Sequence, residues 1–227
     1  SYVGVYGIKP AKPQEIGNYV YVAIAGSNSD GGDPVDTGRV VILNNDLSNT
    51  TGTVPAKITG AETAKEMFGT EMATNGKELF ISASATNVEQ YTEIDPKVYV
   101  YEPLHSASGE LTEVRAIQTI DAVSHIDNDR FGYSLDATDN WLVIGSPGTD
   151  SYANSNNNDP PAVAGKIHIY KKNAAGTWDL NTTIDSSSTI NDEQLNIDSF
   201  FGHSVSINGD FIAVGCPRDK ENIDGVT

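Results

Sequence analysis

Phe131-Gly-Tyr-Ser-Leu-Asp-Ala-Thr-Asp-Asn-Trp-Leu-Val-Ile-Gly-Ser-Pro147 reads as two strands joined by a turn. In its first half Phe131, Tyr133, Leu135 and Ala137 alternate with Gly132, Ser134 and Asp136, the period-2 pattern of a strand with one bulky face and one small or polar face. Thr138-Asp139-Asn140 supplies the turn. Trp141-Leu142-Val143-Ile144 is an unbroken apolar run that stops at Gly145-Ser146-Pro147, as expected of a central strand covered on both faces and ended where proline has no N–H for a ladder. The same register returns in Phe201-Gly-His-Ser-Val-Ser-Ile-Asn-Gly-Asp-Phe-Ile-Ala-Val-Gly-Cys-Pro217, where phenylalanine and closing glycine are again 14 residues apart. A third copy, Phe68 to Ser84, keeps that interval with Ser82 in place of the glycine, and Tyr19 to Gly26 preserves the second strand alone. Successive Phe-Gly pairs lie 63 and 70 residues apart, a spacing of repeated supersecondary units.

The segments downstream of each hairpin repeat as well. After a polar insertion come Gly38-Arg-Val-Val-Ile-Leu43, Lys97-Val-Tyr-Val-Tyr101 and Gly165-Lys-Ile-His-Ile-Tyr170, and then a fourth strand, clearest in Gly176-Thr-Trp-Asp-Leu-Asn-Thr-Thr-Ile184. Four antiparallel strands per unit predict an all-β chain, a β-propeller of four-stranded blades. The chain here resembles the FG-GAP repeat family, the propeller repeats of integrin α-subunits and of many secreted or surface bacterial proteins. The resemblance rests on Phe-Gly-x-Ser at 131–134 and 201–204, Val-Ile-Gly-Ser-Pro at 143–147, Ala-Val-Gly-Cys-Pro at 213–217, Ala-Gly-Lys-Ile-His-Ile-Tyr at 164–170 and Gly-Thr-Trp at 176–178. It covers about residues 60 to 217.

Laid out on that plan, a first blade spans about 1–60, a second 61–125, a third 126–190 and a partial fourth 191–227. The first is degenerate: Tyr2 to Ile8 reads as its front strand, Lys9 to Pro13 as a stiff connection, and 18–25, 38–44 and 53–59 as the rest. Residues 61–67 are expected to add one helical turn before the second blade. About three and a half blades cannot close a ring, which usually takes four to eight. The expectation is therefore a fragment of a larger propeller, seven-bladed by the resemblance, or a half-ring that another chain completes.

Net charge is −17, from 14 Lys and Arg against 31 Asp and Glu, which disfavours nucleic acid and anionic membranes as partners. Cys216 is the single cysteine, so no internal disulfide forms, and its apolar strand-end setting suits a small core residue. No apolar run approaches the 18 or so residues of a membrane span.

Chemistry-bearing motifs are few. Calcium-binding members of the family carry an Asp-rich loop between first and second strands, but the loops here, Thr74 to Lys77, Ala137 to Asn140 and Ile207 to Asp210, are too short and poor in carboxylates to supply six to eight oxygens. Asn75-Gly76 and Asn208-Gly209 read instead as tight hairpin turns. A candidate calcium site remains in the first insertion, where Asp30, Asp33 and Asp36 bend around two glycines. His105, His125, His168 and His203 show no metal-ligand spacing, and His168 and His203 alternate with apolar strand residues. Ser134 and Ser204 recur at one position, which points to packing near a propeller axis rather than to a nucleophile. Asn49-Thr-Thr51 and Asn181-Thr-Thr183 match the glycosylation sequon.

In family propellers the second-to-third-strand insertions lie on one face, used for ligands. The resemblance implies a recognition surface of Glu89, Tyr91, Glu93, Asp150, Tyr152, Asp159, Arg218 and Asp219, with Asp30, Asp33 and Asp36 beside it. The function expected is a non-catalytic, extracellular or cell-surface recognition or adhesion module for a protein or glycan ligand. Two alternatives are a propeller hydrolase, or propeller fused to an enzyme, and a structural subunit of a surface assembly.

Overall fold

The computed structural model describes residues 11–24, 38–44, 57–58, 68–84, 96–123, 129–148, 165–186 and 199–217. Every regular element among them is a strand. β1 (Gln14–Ile16), β2 (Tyr19–Ile24), β3 (Arg39–Asn44) and β4 (Lys57–Ile58) form one antiparallel sheet in that order. A second sheet is β5 (Phe68–Thr74), β6 (Leu79–Ala83), β7 (Lys97–His105) and β8 (Leu111–Asp121). The third is β9 (Ser134–Ala137), β10 (Trp141–Ser146), β11 (Lys166–Lys172) and β12 (Trp178–Asp185). β13 (Ser204–Asn208) and β14 (Phe211–Gly215) pair as a fourth, two-stranded sheet.

The four sheets share three cores, one between each consecutive pair. Tyr21, Val40 and Ile42 of the first sheet meet Phe68, Met72, Leu79 and Ile81 of the second. The other side of the second sheet, Phe80, Val98 and Val100, meets Phe131, Leu142, Ile144 and Trp178 of the third. Val143, Ile167 and Ile169 on the far side of the third then meet Phe201, Ile207, Ile212 and Val214. Neighbours in one strand thus belong to different cores, as Phe80 and Ile81 do, and Val143 and Ile144. The continuous apolar runs exist because a central strand here is buried on both faces.

Four details depart from the sequence expectation. The front strand of the first sheet is Gln14–Ile16, because the two residues Gly17-Asn18 fold it directly onto Tyr19; Tyr2 to Ile8 lies outside the described residues, as does the helical turn expected at 61–67. Phe131, Gly132 and Tyr133 precede the strand, which begins only at Ser134. The small face of that strand is no less buried than the bulky one, since Ser134 is 4% exposed and Leu135 8%. The last hairpin also turns one residue later than Asn208-Gly209 suggests, on Gly209-Asp210, with Asn208 paired to Phe211 and Gly209 at φ 57°.

Candidate functional site

The Phe-Gly pair is the device that joins one sheet to the next. Arg130 and Gly132 both have positive φ, 57° and 84°, and Phe200 and Gly202 repeat this at 56° and 90°. Tyr133 N–H donates to the Arg130 carbonyl at 3.1 Å, and His203 N–H to the Phe200 carbonyl at 3.0 Å, closing a tight turn that throws the phenylalanine ring backwards into the preceding core. The glycine lies flat against the preceding sheet: a Cβ at Gly132 would sit 3.0 Å from the Ser82 Cβ, and one at Gly202 would strike the Lys166 carbonyl. Gly165 clears room in turn for the Phe201 backbone, and Gly38 for that of Phe68.

Side chains lock the same joints. Ser134 donates its hydroxyl to the Gly202 carbonyl at 2.8 Å, and the Asp136 carboxylate accepts from the Ser206 hydroxyl and the Ile207 N–H at 3.1 and 2.8 Å. Between second and third sheets, the Gln118 side-chain amide donates to the Trp178 carbonyl and accepts from its N–H, at 2.9 and 2.7 Å. Glu78, 2% exposed, accepts from the Asn75 amide at 2.9 Å and pairs with Lys172 at 2.8 Å. At the inner edge of third and fourth sheets the Tyr133 and His203 rings lie 5.0 Å apart, with the hydroxyl 3.3 Å from Nε2. These polar contacts sit at two joints, those of Gln118 and Glu78 between second and third sheets and those of Tyr133, Ser134 and Asp136 between third and fourth.

Two buried ionisable groups stand out. Asp129, 2% exposed, caps the Phe131 N–H at 2.9 Å through one oxygen; burial raises its pKa, against the pull of that hydrogen bond and of Lys166. His168, 1% exposed, packs on Phe131 with ring centroids 5.3 Å apart and meets the Thr183 hydroxyl at 3.0 Å. Burial first, then Lys166, lowers its pKa to about 4, so at neutral pH it is a neutral core residue.

The antiparallel order sorts the connections to two ends. First-to-second and third-to-fourth turns leave at one end, and the Lys77–Asp139 pair at 3.0 Å and the Asn75 contact to the Thr138 carbonyl hold those of the second and third sheets side by side. Most of these run 2 to 5 residues; the connection after β3 has 12. Second-to-third connections and those leading to the next sheet leave at the opposite end, and all six run 9 to 19 residues. Those six contain fifteen of the chain's 31 carboxylates and, of its 14 Lys and Arg, only Lys65 and Arg130.

Asp30, Asp33, Asp36, Glu89, Tyr91, Glu93, Asp150, Tyr152, Asp159, Arg218 and Asp219 all lie outside the described residues. Among the described residues no group of three or more His, Cys, Asp or Glu side chains could hold a metal ion, and no helix is long and apolar enough to cross a membrane. Sequence reading missed Asp129, Asp136, Glu78 and Gln118. Only Asp136 carried a signal, since Ser206 holds the matching place one repeat later. Compared with protein-family models and with curated proteins, the chain matches none of either.

Proposed function

We propose that the chain is part of an FG-GAP-type β-propeller that recognises a protein or glycan ligand at the cell surface or outside the cell, without catalysing a reaction on it. The observation that carries this reading is the sorting of the connections. Six of the seven first-to-second and third-to-fourth turns run 2 to 5 residues, whereas every insertion between second and third strands runs 13 or more and leaves from the opposite end of the sheets, and the six long connections carry fifteen of the 31 carboxylates in sequence. Loops on a rigid scaffold are where binding residues concentrate. An acid-rich end favours a basic protein surface, or a glycan held through cations, and repels anionic polymers. The propeller reading draws support from three cores in series and from the Phe-Gly turn used at the joints. An enzyme would need unlike polar groups converging on one place, whereas the contacts of Gln118 and Glu78 and those of Ser134 and Asp136 lie at two separate joints.

Charge-reversing sets at the two ends test the reading. Asp30, Asp33, Asp36, Glu89 and Glu93 to Lys is one set, and Asp46, Glu110 and Asp210 to Lys the other. Against arrays of glycans and of basic proteins, binding that is lost with the first set and kept with the second is the expected result. Equal loss with both, or turnover of any ligand bound, overturns it.

A further inference from the structure

Leu79 pairs with Tyr101 as Leu142 pairs with Tyr170, so Glu78 stands where the other second strands open on an aromatic, Tyr19, Trp141 or Phe211. It is 2% exposed, and its Oε2 meets two nitrogens, Lys172 Nζ at 2.8 Å and Asn75 Nδ2 at 2.9 Å. The Asn75 amide is held in that orientation because its Oδ1 accepts from the backbone N–H groups of Lys77 and Glu78 at 3.0 and 2.7 Å. Trp178 walls the site on the third-sheet side, with Lys172 Nζ 5.5 Å from its ring centroid, and Phe80 packs edge to face with that ring. An amine, a carboxamide and a buried carboxylate thus meet between the second and third sheets, each of which has its four strands.

We propose that Lys172 and Asn75 join in an intramolecular isopeptide bond, with Glu78 carrying the protons. The Lys172 ammonium gives a proton to Glu78 Oε2, a transfer favoured where an ion pair is stripped of its solvation. The freed amine attacks Asn75 Cγ, one bond beyond the Nδ2 that shares its oxygen partner. Negative charge develops on Oδ1, at which two backbone N–H groups already point, as in an oxyanion hole. Glu78 passes its proton to Nδ2 and takes one from the attacking nitrogen, the Cγ–Nδ2 bond breaks, and ammonia leaves. The proton left on Glu78 goes to the departing ammonia, so an amide and an ammonium ion replace a carboxamide and a lysyl ammonium with no further reactant. The rival attack on Cγ by the Gly76 nitrogen is held back, because the Gly76 N–H donates to the Thr74 hydroxyl at 2.9 Å. The bond ties the second sheet to the third across their joint. It acts on no ligand and is independent of the recognition proposed above.

The test is the mass of the whole 227-residue chain, purified, incubated at neutral pH and then denatured for mass spectrometry. A mass lower than that of the sequence by one ammonia is expected, together with a branched proteolytic peptide holding both Asn75 and Lys172. Lys172→Arg keeps a positive charge beside Glu78 but has no amine to attack with, and Glu78→Gln keeps the shape but carries no proton. Both variants are expected to show their full mass. The branched peptide is sought in the unaltered chain, so it decides the matter should either variant fail to fold. An unaltered chain of full mass after prolonged incubation overturns the proposal. So does a loss of ammonia that persists in Lys172→Arg without a branched peptide, which would place the loss in a ring closed at Asn75-Gly76.

Discussion

Trp141 and Phe211 hold the same place in third and fourth sheets, each opening the second strand, yet Trp141 packs against the next core while Phe211 is 81% exposed. Val143 and Ala213 also correspond, and Val143 is fully buried whereas Ala213 is exposed. The third sheet has a neighbour on each side; the fourth, among the described residues, has one. Burial in this fold is therefore a property of the joint and not of the strand, and stability should follow the number of joints a residue serves.

Acid should weaken the two-sided sheet most. His168 is neutral when folded, with its pKa lowered to about 4 by burial, against an ordinary value of 6.5 in the unfolded chain. The unfolded state then binds the extra proton, so stability is complete above pH 6.5, falls as pH drops from 6.5 to 4 and levels below that. The loss attributable to this ring is up to about 3 kcal/mol. His168→Gln should flatten the pH dependence of the melting temperature across that window. Asp129 acts in the opposite sense, because its raised pKa favours the protonated, folded form as pH falls. An unflattened profile would place the acid sensitivity outside the third sheet.

The glycines give a sharper contrast. A Cβ at Gly145 would run into both the Ser134 hydroxyl and the backbone carbonyl of Gly202, while at the matching Gly215 it would meet the Ser204 side chain and the backbone N of that residue at 3.6 Å. A side chain can rotate away; a backbone carbonyl in a joint cannot. Gly145→Ala should cost about 2–3 kcal/mol and Gly215→Ala less than about 1 kcal/mol, by chemical denaturation. Equal costs would mean that the joint contributes nothing beyond the hairpin. Gln118→Ala, which leaves the Trp178 N–H and carbonyl of a buried joint without partners, should cost about 1–2 kcal/mol.

Strand identity was legible in the sequence because period and apolar runs are local: β10 and the third strands lie where the pattern put them. The Phe-Gly turn reads as strand instead, since alternation of Phe131, Tyr133 and Leu135 resembles a pleat although Arg130 and Gly132 take positive φ. Joint residues were mostly illegible. Gln118 bonds to a strand 60 residues away, and nothing within its own strand marks it as different from Thr112 or Thr119. The long connections gave the opposite result, with composition plain in the sequence and geometry outside the described residues.

The smallest effect on stability is expected at Phe211. Its ring touches little, so Phe211→Ser should change unfolding free energy by no more than about 0.5 kcal/mol. Its effect on association should be larger. An exposed aromatic beside an unpaired strand edge is a sticky combination, and a net charge of −17 opposes contact between copies most strongly at low salt. The unaltered chain should accordingly self-associate as salt is raised from low to physiological levels, and Phe211→Ser should do so less. Sedimentation at two salt concentrations separates the cases. A chain that stays monomeric in both, with a single cooperative melt, would show that the fourth sheet needs no neighbour, and the difference between Trp141 and Phe211 would then be a matter of packing detail rather than of a missing joint.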